Sequence, residues 1–115
     1  MFWITRYYVI AEKMVEYQKW LLSDEAKDIY KRLEKETGWK YLETYFPLLG
    51  FGGDYVEDWI EVSSWAALDK ARGTKAMGEI MDATWEFMDN SRPMTSAMYR
   101  TARDVKVFPP PKTKK

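Results

Sequence analysis

Residues 39–65, WKYLETYFPLLGFGGDYVEDWIEVSSW, hold two alternating segments on either side of a glycine-rich turn, the pattern of a β-hairpin. Alternate side chains on a strand point to opposite faces of the sheet. Leu42, Thr44, Phe46, Val56, Ile60 and Val62 form a set suited to an apolar core. Tyr41, Glu43, Tyr45, Tyr55, Glu57, Trp59 and Glu61 form the other set, which mixes large aromatics with carboxylates. A solvent-washed sheet face seldom carries that many rings, so this second face is expected to meet a partner, a ligand or both. Asp58 breaks the apolar set; a helix cap or a pocket mouth are the two places that would suit it.

Upstream of the hairpin, residues 2–10 alternate strong β-formers and read as a strand, with Trp3, Thr5, Tyr7 and Val9 toward the core. Ile4, Arg6 and Tyr8 then join the aromatic face. Residues 12–37 change to a helical period, with Met14, Tyr17, Leu21, Ala26, Ile29 and Leu33 in one stripe. Ser23-Asp24 can cap a second segment there, so a kinked or two-piece helix is expected, and Gly38 supplies the stop. Downstream, Ser63 or Ser64 starts a helix near Trp65, Gly73 interrupts it, and Thr74 caps the next piece. Met77, Ile80, Met81, Thr84, Trp85 and Met88 recur at helical spacing and read as core filling. Residues 97–107 read as the last strand, with Met98 and Arg100 on the aromatic side. The domain is expected over residues 1–108, and residues 109–115, with three prolines and three lysines between Pro109 and Lys115, as an extended basic tail.

The order βαββαβ is a ferredoxin-like α+β unit, a four-stranded antiparallel sheet with both helices on one face. The other face would carry Ile4, Tyr8, Tyr41, Tyr45, Tyr55, Trp59 and Met98, a large apolar patch for a monomer. A two-fold homodimer would cover it.

The 115 residues balance 18 basic against 18 acidic side chains, so no global field draws the chain to nucleic acid or to a membrane surface. No apolar run reaches the roughly 18 residues of a membrane span, and MFWITRYYVI lacks the form of a signal peptide, so a cytoplasmic location is expected. Cysteine and histidine are both absent, which removes disulfides, thiolate nucleophiles, Cys/His zinc sites and Ser-His-Asp triads. No metal-site or cofactor motif appears, and no tightly bound cofactor is expected. One Asn and one Gln against abundant Glu and Lys is a pattern of heat-adapted chains, which seven methionines oppose. Gly50-x-Gly52-Gly53 is followed by a strand rather than a helix, so it reads as a hairpin turn and not a phosphate loop.

The first strand with its helix start, Gly38-Trp39-Lys40-Tyr41-Leu42, and the Leu49-Gly50-Phe51-Gly52 turn into Asp54-Tyr55-Val56-Glu57 resemble the dimeric α+β barrel superfamily. Within it the chain is most similar to NIPSNAP-like and antibiotic-biosynthesis-monooxygenase-like proteins, over about residues 2–107. The resemblance implies two ferredoxin-like subunits packed sheet to sheet, with a small ligand between sheet and helices or inside the barrel. It spans cofactor-independent oxygenation of aromatic substrates, haem degradation and isomerisation, so the fold does not name the reaction. The haem branches depend on a histidine that this chain lacks.

The candidate ligand-binding residues are therefore Arg6, Tyr8, Tyr41, Glu43, Tyr45, Glu57, Trp59, Glu61 and Arg100. In an enzyme, Glu43 or Glu57 raised by burial would be a general base, and Tyr41, Tyr45 or Tyr8 would steady an oxyanion. In a non-catalytic interaction protein the same glutamates pair with Arg6 and Arg100 across a dimer seam. A small-ligand sensor is the third reading.

Overall fold

Ser23 sits where the first helical stretch must restart. Its hydroxyl accepts from Ala26 N at 3.2 Å and donates to Trp20 O at 2.5 Å, closing one helix and opening the next. A computed structural model, which describes residues 1–48, 53–71 and 73–104, accordingly splits the stretch. A 3-10 turn at Ala11–Lys13 leads into α1 (Met14–Leu21), and α2 follows (Asp24–Thr37). Gly38 ends α2 at φ 78°, its N–H returning to Glu34 O at 2.8 Å. The second helical stretch splits in the same way, into α3 (Trp65–Ala71) and α4 (Lys75–Thr84), with the Thr74 side chain accepting from Met77 N.

The strands are β1 (Phe2–Tyr7), β2 (Lys40–Tyr45), β3 (Val56–Glu61) and β4 (Thr95–Tyr99), all paired antiparallel in the order β2-β3-β1-β4. This is the expected α+β architecture. The expected tail, and the hairpin tip at 49–52, lie outside the described residues.

The register assigns the faces, because residues directly opposite each other share one. Trp3↔Ile60, Thr5↔Asp58 and Tyr7↔Val56 look toward the helices; Phe2↔Glu61, Ile4↔Trp59 and Arg6↔Glu57 look away. Tyr41 departs from the expected side. Between Tyr41↔Ile60 and Glu43↔Trp59 the ladder slips, leaving Leu42 as a bulge, partly exposed. The extra residue turns Tyr41 toward the helices, where its ring stacks on Tyr30 with centroids 4.1 Å apart.

Three other placements are corrected. Met98 opposes Trp3 and therefore faces the helices, while Tyr99, opposite Phe2, takes the outer face. The last strand runs over Thr95–Tyr99 and ends before Thr101 and Asp104, which fold the chain into a turn through Asp104 N to Thr101 O and Thr101 Oγ1 to Asp104 Oδ2; residues 105–107 of the expected 97–107 lie outside the described residues. The Met/Trp stripe of α4 fills the core only in part: Met77, Ile80 and Met88 pack against it and Thr84 is buried, but Met81 and Trp85 do not join them. Met81 is 56% and Trp85 61% exposed, because α4 buries Ala76 and Thr84 and then tightens into a 3-10 turn at Trp85–Phe87.

The core has two centres. One gathers Ile29, Tyr30, Leu33, Trp39, Ile60 and Val62; the other gathers Tyr7, Val9, Tyr17, Val56 and Phe87, and Trp20 packs against both. Truncating a residue as buried as Leu33 to Ala would cost about 2–5 kcal/mol. Between the two centres, under α4, the packing leaves a space.

Candidate functional site

Thr5 and Asp58 are cross-strand partners, and Thr44 on β2 lies opposite Asp58 on its other side. The register therefore sets a carboxylate in the middle of the sheet, on the face the helices cover. Oδ1 of Asp58 accepts from Tyr7 Oη and from Thr44 Oγ1, each at 2.7 Å. Both donors have given away their single proton, so each must accept from the next hydroxyl out. Tyr17 Oη lies 2.5 Å from Tyr7 Oη, and Tyr41 Oη lies 2.5 Å from Thr44 Oγ1. Two hydroxyl chains, Tyr17 to Tyr7 and Tyr41 to Thr44, thus converge on one carboxylate oxygen. Among the described residues Oδ2 accepts no hydrogen bond.

Burial favours the neutral form of every group here. It pushes the Asp58 carboxyl up to about 6 from its ordinary 3.8, against the hydrogen bonds from Thr44 and Tyr7, which pull it down. Burial, then the neighbouring Asp58 charge, holds the Tyr7, Tyr17 and Tyr30 hydroxyls above the usual phenol range. Tyr41 is raised chiefly by burial too.

Asp58 borders the space under α4, a cavity of about 260 Å³. Trp3, Tyr7, Tyr17, Tyr30 and Ile60 line its sheet and α1–α2 sides, and Met77, Ile80 and Met81 form the α4 side. Trp85, Met94 and Arg92 stand at its rim, where Met94 is 61% exposed. Residues 8–10 hold this rim in place: Asp89 N donates to Tyr8 O and Ile10 N to Phe87 O, both at 2.8 Å. Arg92 spans the rim, its guanidinium 3.5 Å from the Tyr8 ring centroid and bonded to both oxygens of Asp54 at 2.6 and 3.0 Å.

The residues singled out from sequence fall into two groups. Tyr8 borders the cavity, and Tyr41 feeds the Asp58 network through Thr44. Arg6, Glu43, Tyr45, Glu57, Trp59 and Glu61 stand on the outer face. There Glu57 accepts from Arg6 Nε at 2.7 Å and from Trp59 Nε1 at 2.6 Å, one bond on each oxygen, and Tyr45 meets Trp59 edge-on at 5.9 Å. Glu43 accepts from Thr44 N at 3.0 Å, and exposed Arg100 reaches Met1 Sδ at 3.5 Å rather than a glutamate. With Ile4 buried, Tyr8 at the cavity, and Tyr41 and Met98 turned inward, the outer apolar patch is smaller than the alternation suggested.

Asp58 itself was legible only as an anomaly. The available signal was a lone carboxylate inside an apolar alternation, with Thr and Tyr residues on the strands either side. Among the described residues no group of three or more acidic side chains converges as a metal site would require, and no helix is long and apolar enough to cross a membrane.

No family model and no curated protein matches the sequence. Solved structures do match. A NIPSNAP family protein of unknown function from Agrobacterium tumefaciens is similar at TM-score 0.63 and 15% identity, over 93% of this chain and 92% of that one. HapK from Hahella chejuensis is similar at TM-score 0.59 and 13% identity, over 89% and 95%. A Nitrosomonas europaea protein described as a candidate antibiotic biosynthesis monooxygenase is similar at TM-score 0.59 and 10% identity, over 91% and 92%. At such identities the likeness carries the fold, and the chain shares the α+β fold of NIPSNAP-like and antibiotic-biosynthesis-monooxygenase-like structures.

Proposed function

We propose that the chain binds a small hydrophobic or aromatic molecule in the cavity between the sheet and α4, with Asp58 as its polar anchor. The observation that carries this reading is the Asp58 carboxylate, held on one oxygen by Tyr7 and Thr44, in the lining of a largely apolar cavity. Ligand sites combine apolar walls with a few placed polar groups in this way. A cavity of about 260 Å³ suits a molecule of one or two rings. If the bound molecule reacts, Asp58 is the proton acceptor, since a carboxyl near 6 is mostly ionised at neutral pH yet more basic than an ordinary carboxylate. Glu57, with both oxygens already engaged on the outer face, suits a structural role better.

A homodimer through the outer sheet face belongs to the same reading, supported by Trp59, Tyr45 and Tyr99 there, as does a cytoplasmic location. The cavity reading is tested by titrating indole and 2-naphthol against the protein and against Ile80→Trp, which fills the cavity. Saturable one-to-one binding that disappears in Ile80→Trp, with the thermal transition retained, is expected. Equal binding by both proteins would place the ligand elsewhere.

A further inference from the structure

Two hydroxyls of the cavity wall are engaged within the protein. Thr5 Oγ1 is engaged with Ser96 Oγ at 3.3 Å, and Thr84 Oγ1 donates to Ile80 O at 2.8 Å. Among the described lining residues, Oδ2 of Asp58, the Tyr8 and Tyr30 hydroxyls, the Trp3 and Trp85 indole N–H groups and the Asn90 amide make no hydrogen bond within the protein. The charges at the site are unbalanced. Arg92, the one cation at the rim among the described residues, is already paired with Asp54 through two hydrogen bonds and rests on Tyr8. Asp89, also at the rim, is held ionised by the Ser91 hydroxyl and N–H, and Asp58 makes no ion pair among the described residues. Among the described residues that line the cavity, two carboxylates, Asp58 and Asp89, thus stand against one guanidinium that Asp54 already pairs.

We propose that the cavity takes a protonated amine on a one- or two-ring aromatic body, the ammonium paired with Oδ2 of Asp58 and the ring against the aromatic walls. The inference rests on the cavity reading above and narrows it to a ligand class. A carboxylate removed from water without a counter-charge is costly, and an ammonium supplies that charge where a neutral donor does not. Trp3, Tyr7, Tyr17 and Tyr30 make the lining aromatic, which suits a cation on an aromatic body, and the methionines of α4 adapt to the ring. An anion would meet Asp58 and Asp89, with no free cation among the described lining residues to receive it.

The groups facing Asp58 from the packed elements are Tyr7 on β1, Tyr17 on α1, Tyr30 on α2, and Tyr41 and Thr44 on β2, all neutral hydroxyls near pH 7, with Asp89 and Arg92 at the rim. α4 adds apolar side chains to the wall. Between about pH 5 and 7.5 Asp58 is the group of this set that titrates, and an alkylamine stays protonated throughout.

The test uses three indoles of one shape and different charge: tryptamine, tryptophol and indole-3-acetate, titrated calorimetrically at pH 5.0 and 7.5. Tryptamine is expected to bind about tenfold or more tighter than tryptophol at pH 7.5. That preference should shrink at pH 5.0 as Asp58 takes its proton, and indole-3-acetate should bind weakest. Asp58→Asn should lose the preference for tryptamine over tryptophol. Should that variant not fold, the pH dependence of the unaltered protein carries the same information. Tryptophol binding as tightly as tryptamine would overturn the amine inference while leaving the cavity reading intact. Absence of binding by all three indoles, together with indole and 2-naphthol, would overturn both.

Discussion

Tyr7 donates to Oδ1 of Asp58 at 2.7 Å across the β1–β3 pair, joining a buried phenol to the one carboxylate set in the helix-covered face of the sheet. The bond does two things at once. It lowers the cost of ionising Asp58, and it leaves Tyr7 Oη as the acceptor for the buried Tyr17 hydroxyl. Tyr7→Phe removes both. Asp58 should then titrate above about 6, and stability should fall by about 1–3 kcal/mol, since a hydrogen bond to a charged group is lost and Tyr17 is left without its acceptor. Carboxyl-carbon NMR through the titration, with urea unfolding at pH 7, reads both effects. An Asp58 pKa unmoved in Tyr7→Phe would mean that the bond does not set the carboxyl's acidity.

Asp58 should also mark the stability profile in a direction opposite to most carboxylates. Its folded pKa, about 6, lies above the ordinary 3.8, so the folded state holds the proton more tightly than the unfolded chain. The favourable contribution is full below about 3.8 and is lost as pH rises through about 6. At about 1.4 kcal/mol per pH unit of displacement, the loss is up to about 3 kcal/mol. Asp54 and Asp89, held low by Arg92 and by Ser91, contribute stability that is lost only at more acid pH. The difference in unfolding free energy between the unaltered protein and Asp58→Asn isolates the buried group. It should fall steadily from pH 4 to 6.5 and be flat above, whereas a flat difference throughout would show Asp58 open to water.

Much of this architecture was readable from residue types whose roles are local. Ser23, Gly38, Ser64 and Thr74 act within a few residues of themselves, and each ends or starts a helix where its chemistry requires. The period of 2 in β1 and β3 assigned their faces correctly. β2 resisted because Leu42 is an extra residue in the ladder, and nothing in WKYLETYF announces a bulge. One inserted residue reversed the side of Tyr41 relative to Glu43, and so moved a ring from the outer face to the Asp58 network. The cavity resisted for a different reason. Helical periodicity says that Met77, Met81 and Trp85 share a face; it does not say whether that face closes on the sheet.

Gly38 offers a check on the local logic that is independent of the cavity. At φ 78° a side chain is strained, although a Cβ there would meet only Ser63 Oγ at 3.6 Å, an ordinary contact. Gly38→Ala should therefore destabilise by about 1 kcal/mol through the backbone alone. Ligand affinity in the cavity should be unchanged. A larger loss in chemical denaturation would point to packing at the α2–β2 junction that the local geometry does not contain.

The outer sheet face yields the last prediction. Tyr45 is 53% and Tyr99 48% exposed, and Trp59 lies among them, edge-on to Tyr45 and 6.0 Å from the Phe2 ring. Four aromatic strand residues on one uncovered face are poorly matched to water, and a second copy presenting the same surface would bury them twice. Trp59→Ala removes the largest ring and also takes a donor from Glu57, which keeps its bond to Arg6. If this face is the dimer seam, the variant should dissociate at protein concentrations where the unaltered chain sediments as a dimer. The cavity lies on the opposite side of the sheet, so affinity for the cavity probes should survive dissociation. A dimer that withstands Trp59→Ala, Tyr45→Ala and Tyr99→Ala together would have to use another surface, and exposed Met81, Trp85 and Met94 around the cavity mouth would be the next place to look.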